Sequence, residues 1–134
     1  MRIRPLTGLG YAWATPTTLG SLVLFLLPLW ALRQARPARW RDGAWEWSIR
    51  PGSRFWRWYS RDGGWAGTTL GFCILFSPGA ADEPSTALHE RRHVFQNLML
   101  GPLFMPLYAL LWVACGYRAH PFERDACQAE TDVP

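Results

Sequence analysis

An α+β fold is predicted for this 134-residue chain by three observations. An uncharged apolar segment near the N-terminus can form an anchor helix. An Arg- and Trp-rich block alternates apolar and polar residues in the manner of strands. A later window, residues 86–98, contains no Gly or Pro and follows a breaker.

Residues 5–32 carry no charge, and residues 19–32 are almost wholly aliphatic or aromatic. A helix over residues 17–32 would be about 24 Å long, short of the roughly 30 Å hydrocarbon thickness unless residues 8–16 extend it. Pro28 is placed to kink it, and Arg33, Arg36, Arg39 and Arg41 to stop it at an anionic surface. A signal peptide and a buried core helix are the rival readings. The Arg-rich run after the apolar stretch offers no small-x-small cleavage site, which favours an uncleaved anchor. The expected division is an anchor segment over residues 1–35 and a metal-binding domain over residues 36–134. Arg2, Arg4 and the amino terminus precede the apolar segment and four arginines follow it, so the charge bias points the catalytic part to the cytoplasm at a membrane.

In the next block, residues 39–65, Trp45, Trp47 and Ile49 alternate with Glu46, Ser48 and Arg50, and Phe55 to Tyr59 follow Pro51-Gly52. This reads as a hairpin turning at Pro51-Gly52, with residues 68–76 as a further buried strand that ends at Ser77-Pro78-Gly79. Nucleic-acid binding by arginines and stacked aromatics is the alternative. A net charge of only +4 and the strand-like alternation argue against it, and no nucleic acid is expected as a partner.

The helix of residues 86–98, with Ser85 as its expected N-cap, carries His89-Glu90-Arg91-Arg92-His93. Four-residue spacing puts both imidazoles on one face, where both can reach one ion, and Glu90 can deprotonate a water whose pKa that ion lowers. A chance pair of helix histidines is the competing explanation. Zinc used for hydrolysis takes a third protein ligand and leaves one position open. In His120-Pro121-Phe122-Glu123-Arg124-Asp125-Ala126, Pro121 suits the first position of a helix and places Glu123 in its first turn. Glu123 is the preferred third ligand and His120 its rival, while Asp125 or Glu130 could hold a ligand histidine by its second nitrogen. If His93 and Glu123 share an ion, residues 94–117 must fold back. A straight helix over that stretch would separate the two by about 45 Å. Gly101-Pro102 is the expected bend, followed by a helix over residues 103–115, closed by Gly116, that shields the metal.

Four blocks carry a resemblance: Thr69-Leu70-Gly71-Phe72, then His89-Glu90-Arg91-Arg92-His93-Val94-Phe95-Gln96, then Gly101-Pro102-Leu103-Phe104-Met105-Pro106-Leu107-Tyr108, then His120-Pro121-Phe122-Glu123-Arg124-Asp125-Ala126. Over nearly half its length the chain resembles small bacterial H-E-x-x-H proteins of the zincin-like, glutamate-ligand type. That resemblance implies a minimal zincin-like domain with a small antiparallel sheet ahead of the active-site helix. It also implies Zn²⁺ on His89, His93 and Glu123, with Glu90 as general base. Phe72 stands where the pattern has His, which removes a polar group near the site. His120 stands where it has Asn, which adds a possible ligand.

Composition bounds the rest. The chain is a single domain, smaller than most peptidases and without a second lobe to wall a cleft. Hydrophobic residues make up 49% and Trp alone contributes nine, a load that a small domain cannot easily hide, so membrane lipid or a partner should cover part of it. All 14 basic residues are Arg. The three cysteines lack C-x-x-C spacing, so neither a disulfide framework nor a thiolate zinc site is indicated, and residues 128–134 read as a frayed acidic tail. The expected activity is hydrolysis of a peptide bond in a peptide or protein substrate. Tyr117, with Tyr108 and Arg118 as alternatives, would donate a hydrogen bond to the carbonyl oxygen as it gains charge. A non-catalytic, membrane-associated module with a structural metal is the opposing class.

Overall fold

The computed structural model describes residues 7–131. Arg2 and Arg4, on which the orientation argument rests, and the end of the expected tail lie outside them.

The described chain is α+β: a four-stranded sheet with helices on both faces, whose strands lie in the order β1 (Ala35–Arg41), β2 (Ala44–Ile49), β4 (Cys73–Phe76), β3 (Gly67–Leu70). Strands β1 (Ala35–Arg41) and β2 (Ala44–Ile49) pair antiparallel, and Arg41 lies opposite Ala44. Between them Asp42 and Gly43 have φ of 50° and 83°, the left-handed pair that a two-residue hairpin requires. The hairpin therefore turns at Asp42-Gly43 and not, as expected, at Pro51-Gly52. Pro37 sits beside a register shift on β1, an edge strand that can spare an amide donor.

After Pro51-Gly52 the chain forms a short helix, α3 (Arg54–Tyr59), instead of a return strand. Ser53 caps it by accepting the Trp56 amide at 3.0 Å. Phe55, Trp56 and Tyr59, at helical spacing, pack on Leu26, Trp47 and Ile49 of the core. That crossover brings β4 (Cys73–Phe76) back parallel to β2, so the sheet is mixed and not antiparallel. The single strand expected over residues 68–76 is in fact a tight hairpin of β3 (Gly67–Leu70) and β4, turning at Gly71-Phe72. Gly71 has φ of 65°, and a Cβ there would lie 2.1 Å from Thr18 Oγ1, so only glycine lets the turn meet the N-terminal helix.

Residues of β4 alternate between two cores, and all four are buried. Cys73 and Leu75 join Leu26, Ala35, Trp47 and Ile49 on one face; Ile74 and Phe76 join Ala44 and Val94 on the other. The first core is closed by the N-terminal helix and the second by the helix that carries the histidine pair.

The N-terminal helix begins earlier than expected. It comprises α1 (Thr7–Ser21), a wide π turn (Leu22–Leu26) and α2 (Leu27–Ala31). The π turn, in which the Leu27 amide bonds to the Leu22 carbonyl, gives the Pro28 ring room it lacks in a regular helix. Gly8–Ala31, 24 residues, is long and apolar enough to cross a membrane. One side of it is nevertheless built into the domain. Ala14, Thr18 and Leu26 are fully buried, Gly10 touches Leu98, the Tyr11 hydroxyl donates to the Gly43 carbonyl, and Thr18 Oγ1 accepts the Phe72 amide at 3.2 Å. Leu9, Leu19, Val23, Leu24 and Trp30 on its other side are exposed.

Helix α4 (Pro84–Leu100) holds the H-E-x-x-H run, and its N-cap is Glu83, not Ser85. Pro84 takes the first helical position, where its missing amide costs nothing, and the helix starts two residues before the expected Thr86. Gly101, at φ 54°, breaks the helix, and α5 (Phe104–Cys115) runs from there to Gly116, at φ 71°. Helix α6 (Pro121–Glu130) continues through residues 128–130, which were expected to fray. Arg92 clamps α6 to α4 through both Asp125 oxygens at 2.6 and 3.0 Å. Arg91, Arg39 and Arg41 converge on the fully buried Glu46, which ties α4 and β1 to β2.

Candidate metal centre

The helical spacing in α4 brings the two imidazoles together, with Nε2 of His89 and Nε2 of His93 3.2 Å apart. Glu123, in the first turn of α6, presents Oε2 3.2 Å from His89 Nε2 and Oε1 3.2 Å from His93 Nε2. The fold therefore assembles His89, His93 and Glu123 on one point.

Each ring's second nitrogen is already engaged. His89 Nδ1 lies 2.6 Å from Glu130 Oε1, a carboxylate oxygen that can only accept from it, so the proton sits on Nδ1. His93 Nδ1 lies 2.8 Å from Gln96 Oε1. The Gln96 amide nitrogen donates to Asp125 at 2.8 Å and to the Phe122 carbonyl at 3.1 Å, which fixes the side chain's orientation and makes its oxygen the acceptor for His93. Both Nε2 lone pairs thus point at each other and at a carboxylate. Glu123 Oε2 is buried and accepts no hydrogen bond, while Oε1 accepts from the Tyr108 hydroxyl at 2.5 Å. Three electron-pair donors facing one another, one of them a buried oxygen without a donor, fit a cation better than they fit one another. Two nitrogens and a carboxylate oxygen suit Zn²⁺, though other divalent ions accept the same donors.

Burial opposes charge on Glu123, but with no ion between them the two imidazoles, when protonated, and the Tyr108 hydroxyl outweigh it and hold the carboxyl well below its usual range. His89 is pulled down by burial and pushed up further by Glu123, Glu90 and Glu130, with a net rise. Burial likewise raises Glu90, against a Thr69 hydroxyl 2.6 Å from its Oε2 and the two imidazoles. A carboxylate raised toward neutrality by its surroundings is suited to taking and returning a proton.

His120 does not join the converging group. It is fully buried, donates from Nε2 to the Tyr108 carbonyl at 2.9 Å and accepts the Phe122 amide on Nδ1 at 3.2 Å, so it caps α6. Asn at this position would present an acceptor to the first helical amides in the same way. Phe72 does not border the site either. It packs edge-on against Tyr11 and Trp40 at the far end of the β3–β4 hairpin and does not line the cleft. Cys127 stands with Glu130 on the Nδ1 side of His89, apart from the converging lone pairs.

Beside the centre lies a cleft of ≈ 360 Å³. Edge strand β3 forms one wall, α5 another, and Glu90, His89, His93 and Glu123 the floor. Helix α5 is thus a wall and not a plug. Its Phe104 and Tyr108 rings hold it, the first stacked on Phe122 at 5.4 Å and the second 4.2 Å from His120. Tyr117 lines the cleft, and burial followed by the charge of Glu123 pushes its hydroxyl up to about 12. Tyr108 lines it too, but its hydroxyl is committed to Glu123. Arg118 borders a neighbouring pocket with Arg124 and Cys127, which shares Tyr117 and Glu123 with the cleft, and is not itself among the residues that line the cleft.

Sequence reasoning missed three participants. Thr69 orients Glu90, Gln96 orients His93, and Gly67 leaves room for Glu90, since a Cβ there would lie 2.6 Å from Glu90 Cγ. Thr69 and Gln96 both fall inside the blocks that carried the resemblance. No family model matches the chain, and no curated protein or solved structure matches it.

Proposed function

We propose that this chain is a zinc-dependent peptidase of minimal zincin-like architecture, held at a membrane with its catalytic part in the cytoplasm. The observation that carries the reading is the convergence of the His89, His93 and Glu123 lone pairs beside an open cleft that Glu90 also borders. His89, His93 and Glu123 would hold the ion. When bound, Zn²⁺ lowers the pKa of water and polarises a carbonyl. Glu90, oriented by Thr69, takes the proton of the attacking water and returns it to the leaving amine. Tyr117, which lines the cleft near Glu123, donates to the carbonyl oxygen as charge develops there. Edge strand β3 offers its free backbone groups to an extended substrate.

A structural zinc site is closed by four protein ligands, whereas three converge here. That difference, with the cleft, favours the catalytic reading over a non-catalytic module. The test compares wild type with Glu90→Gln, both zinc-loaded, on a peptide library. Cleavage that is lost in the variant while zinc content stays the same supports the reading. Identical product profiles, or no cleavage by either, overturn it.

A further inference from the structure

Helix α5 is apolar on every side, from Phe104 to Cys115, with the Tyr108 hydroxyl, the Trp112 indole N–H and the Cys115 thiol its polar side-chain groups, and it is mostly exposed. A helix of that kind belongs in a protein core or in lipid. Val113 is 85% exposed, and Leu103, Met105, Leu110 and Trp112 are exposed with it. The outer side of the N-terminal helix has the same character, with Leu24 at 69% and Leu9, Leu19, Val23 and Trp30 beside it. The two surfaces join. Trp13, itself half exposed, packs so closely on Gly101 that a Cβ there would lie 2.4 Å from its ring, and Gly101 is where the chain turns into α5.

Lipid fits this surface better than a protein does. Protein interfaces carry about one hydrogen bond per 100–200 Å², and these helix faces offer little beyond the indole N–H groups of Trp13, Trp30 and Trp112, which also suit a membrane interface. Exposed Arg33 and Arg36 follow the first helix, and exposed Arg118 follows α5, placed to meet anionic headgroups. The inner side of the N-terminal helix is built into the sheet core through Leu26, so the helix cannot cross a bilayer without taking the sheet with it. It can lie in one leaflet, with its outer side in the acyl chains.

The cleft opens at this surface. Met105, Trp112 and Tyr117 line it and are at the same time exposed, as is Trp65 on the opposite rim. The charged side chains that line it are those of the metal centre and Glu130; no arginine lines it to receive a terminal carboxylate. An internal stretch of substrate is what such a cleft accepts.

Resting on the peptidase reading, we infer that the chain is monotopic and that its substrate is an internal apolar segment of a membrane protein, drawn from one leaflet into the cleft beneath α5. The test uses zinc-loaded full-length Glu90→Gln protein, phosphatidylcholine–phosphatidylglycerol vesicles and a vesicle-embedded apolar peptide with a photoreactive group. Flotation with vesicles and crosslinks mapping to residues 105–117 support the inference. Leu110→Glu and Val113→Glu, at exposed positions that do not line the cleft, should each lower vesicle binding roughly tenfold while zinc content is retained. The inference is overturned if the protein stays soluble as a dimer that does not float, or if crosslinking is as strong to a water-soluble peptide as to the embedded one. Since binding and crosslinking need no turnover, failure of the peptidase reading appears separately, as absent cleavage by wild type on either peptide.

Discussion

Gln96 accepts the Nδ1 proton of His93 at 2.8 Å and is itself held by Asp125 and the Phe122 carbonyl, so one amide fixes which lone pair of His93 faces Glu123. Glu130 performs the same service for His89 at 2.6 Å. Partners of this kind orient the ring and make it a stronger donor.

Gln96→Leu should therefore weaken zinc binding by roughly 10- to 100-fold without removing a ligand. Competition against a chelator of known affinity measures it. Unchanged affinity would show that His93 is oriented by its packing against Phe104 and Tyr108 alone.

His93→Ala and Glu123→Ala should abolish stoichiometric zinc in metal analysis of the purified protein. His120→Asn should not, because Asn also caps a helix, and His120→Ala should keep zinc while losing about 1 kcal/mol of stability through the lost cap. Zinc loss in His120→Asn with retention in Glu123→Ala would exchange the two residues' roles.

The centre was readable from α4 because helical spacing is a local property: residues four apart must share a face, whatever surrounds them. Gly101 and Gly116 marked the ends of α4 and α5 for the same local reason, each adopting positive φ. Thr69 and Gln96 were visible as letters but not as roles, since their partners lie on another element or depend on α6 to orient the amide. The sheet was harder. Asp42-Gly43 is a strong two-residue hairpin signal, shared by Asp62-Gly63, yet the aromatic alternation drew the turn toward Pro51-Gly52. Parallel pairing of β2 with β4 leaves no local trace, because period-two alternation does not name a partner strand.

Cys73 gives a prediction about pH that is independent of the metal. It is fully buried between Trp47 and Leu75, and burial pushes its thiol from 9.0 up to about 12. The unfolded chain loses this proton first, so the folded state binds more protons between those values. Stability present below pH 9 is then lost as pH rises toward 12, on the order of 1 kcal/mol per pH unit. Urea midpoints measured at increasing alkaline pH should fall more steeply for the wild type than for Cys73→Ala. Equal slopes would mean that the thiolate forms in the folded state without penalty. In native protein at neutral pH, Cys115 and Cys127 should react with a thiol reagent and Cys73 should not.

Glu90 works only if its carboxylate is free to swing toward water, and two residues of β3 set that freedom. Thr69 holds Oε2 at 2.6 Å, and the bare backbone of Gly67 leaves the side chain its space. Alanine at position 67 would bring a methyl group to 2.6 Å from Glu90 Cγ and 2.9 Å from Oε1, closer than real contacts allow, so the carboxylate must move. Thr69→Val keeps the shape but removes the donor, leaving a buried oxygen unsatisfied. Both variants should retain zinc, because neither touches His89, His93 or Glu123. Both should lose turnover with little change in KM, since the proton transfer and not substrate grip is disturbed. Gly67→Ala is expected to be the worse of the two, by about tenfold or more, because a displacement near 1 Å at a reacting group costs more than one lost hydrogen bond. Should Gly67→Ala bind zinc and turn over at the wild-type rate, Glu90 does not act from the position it occupies beside β3.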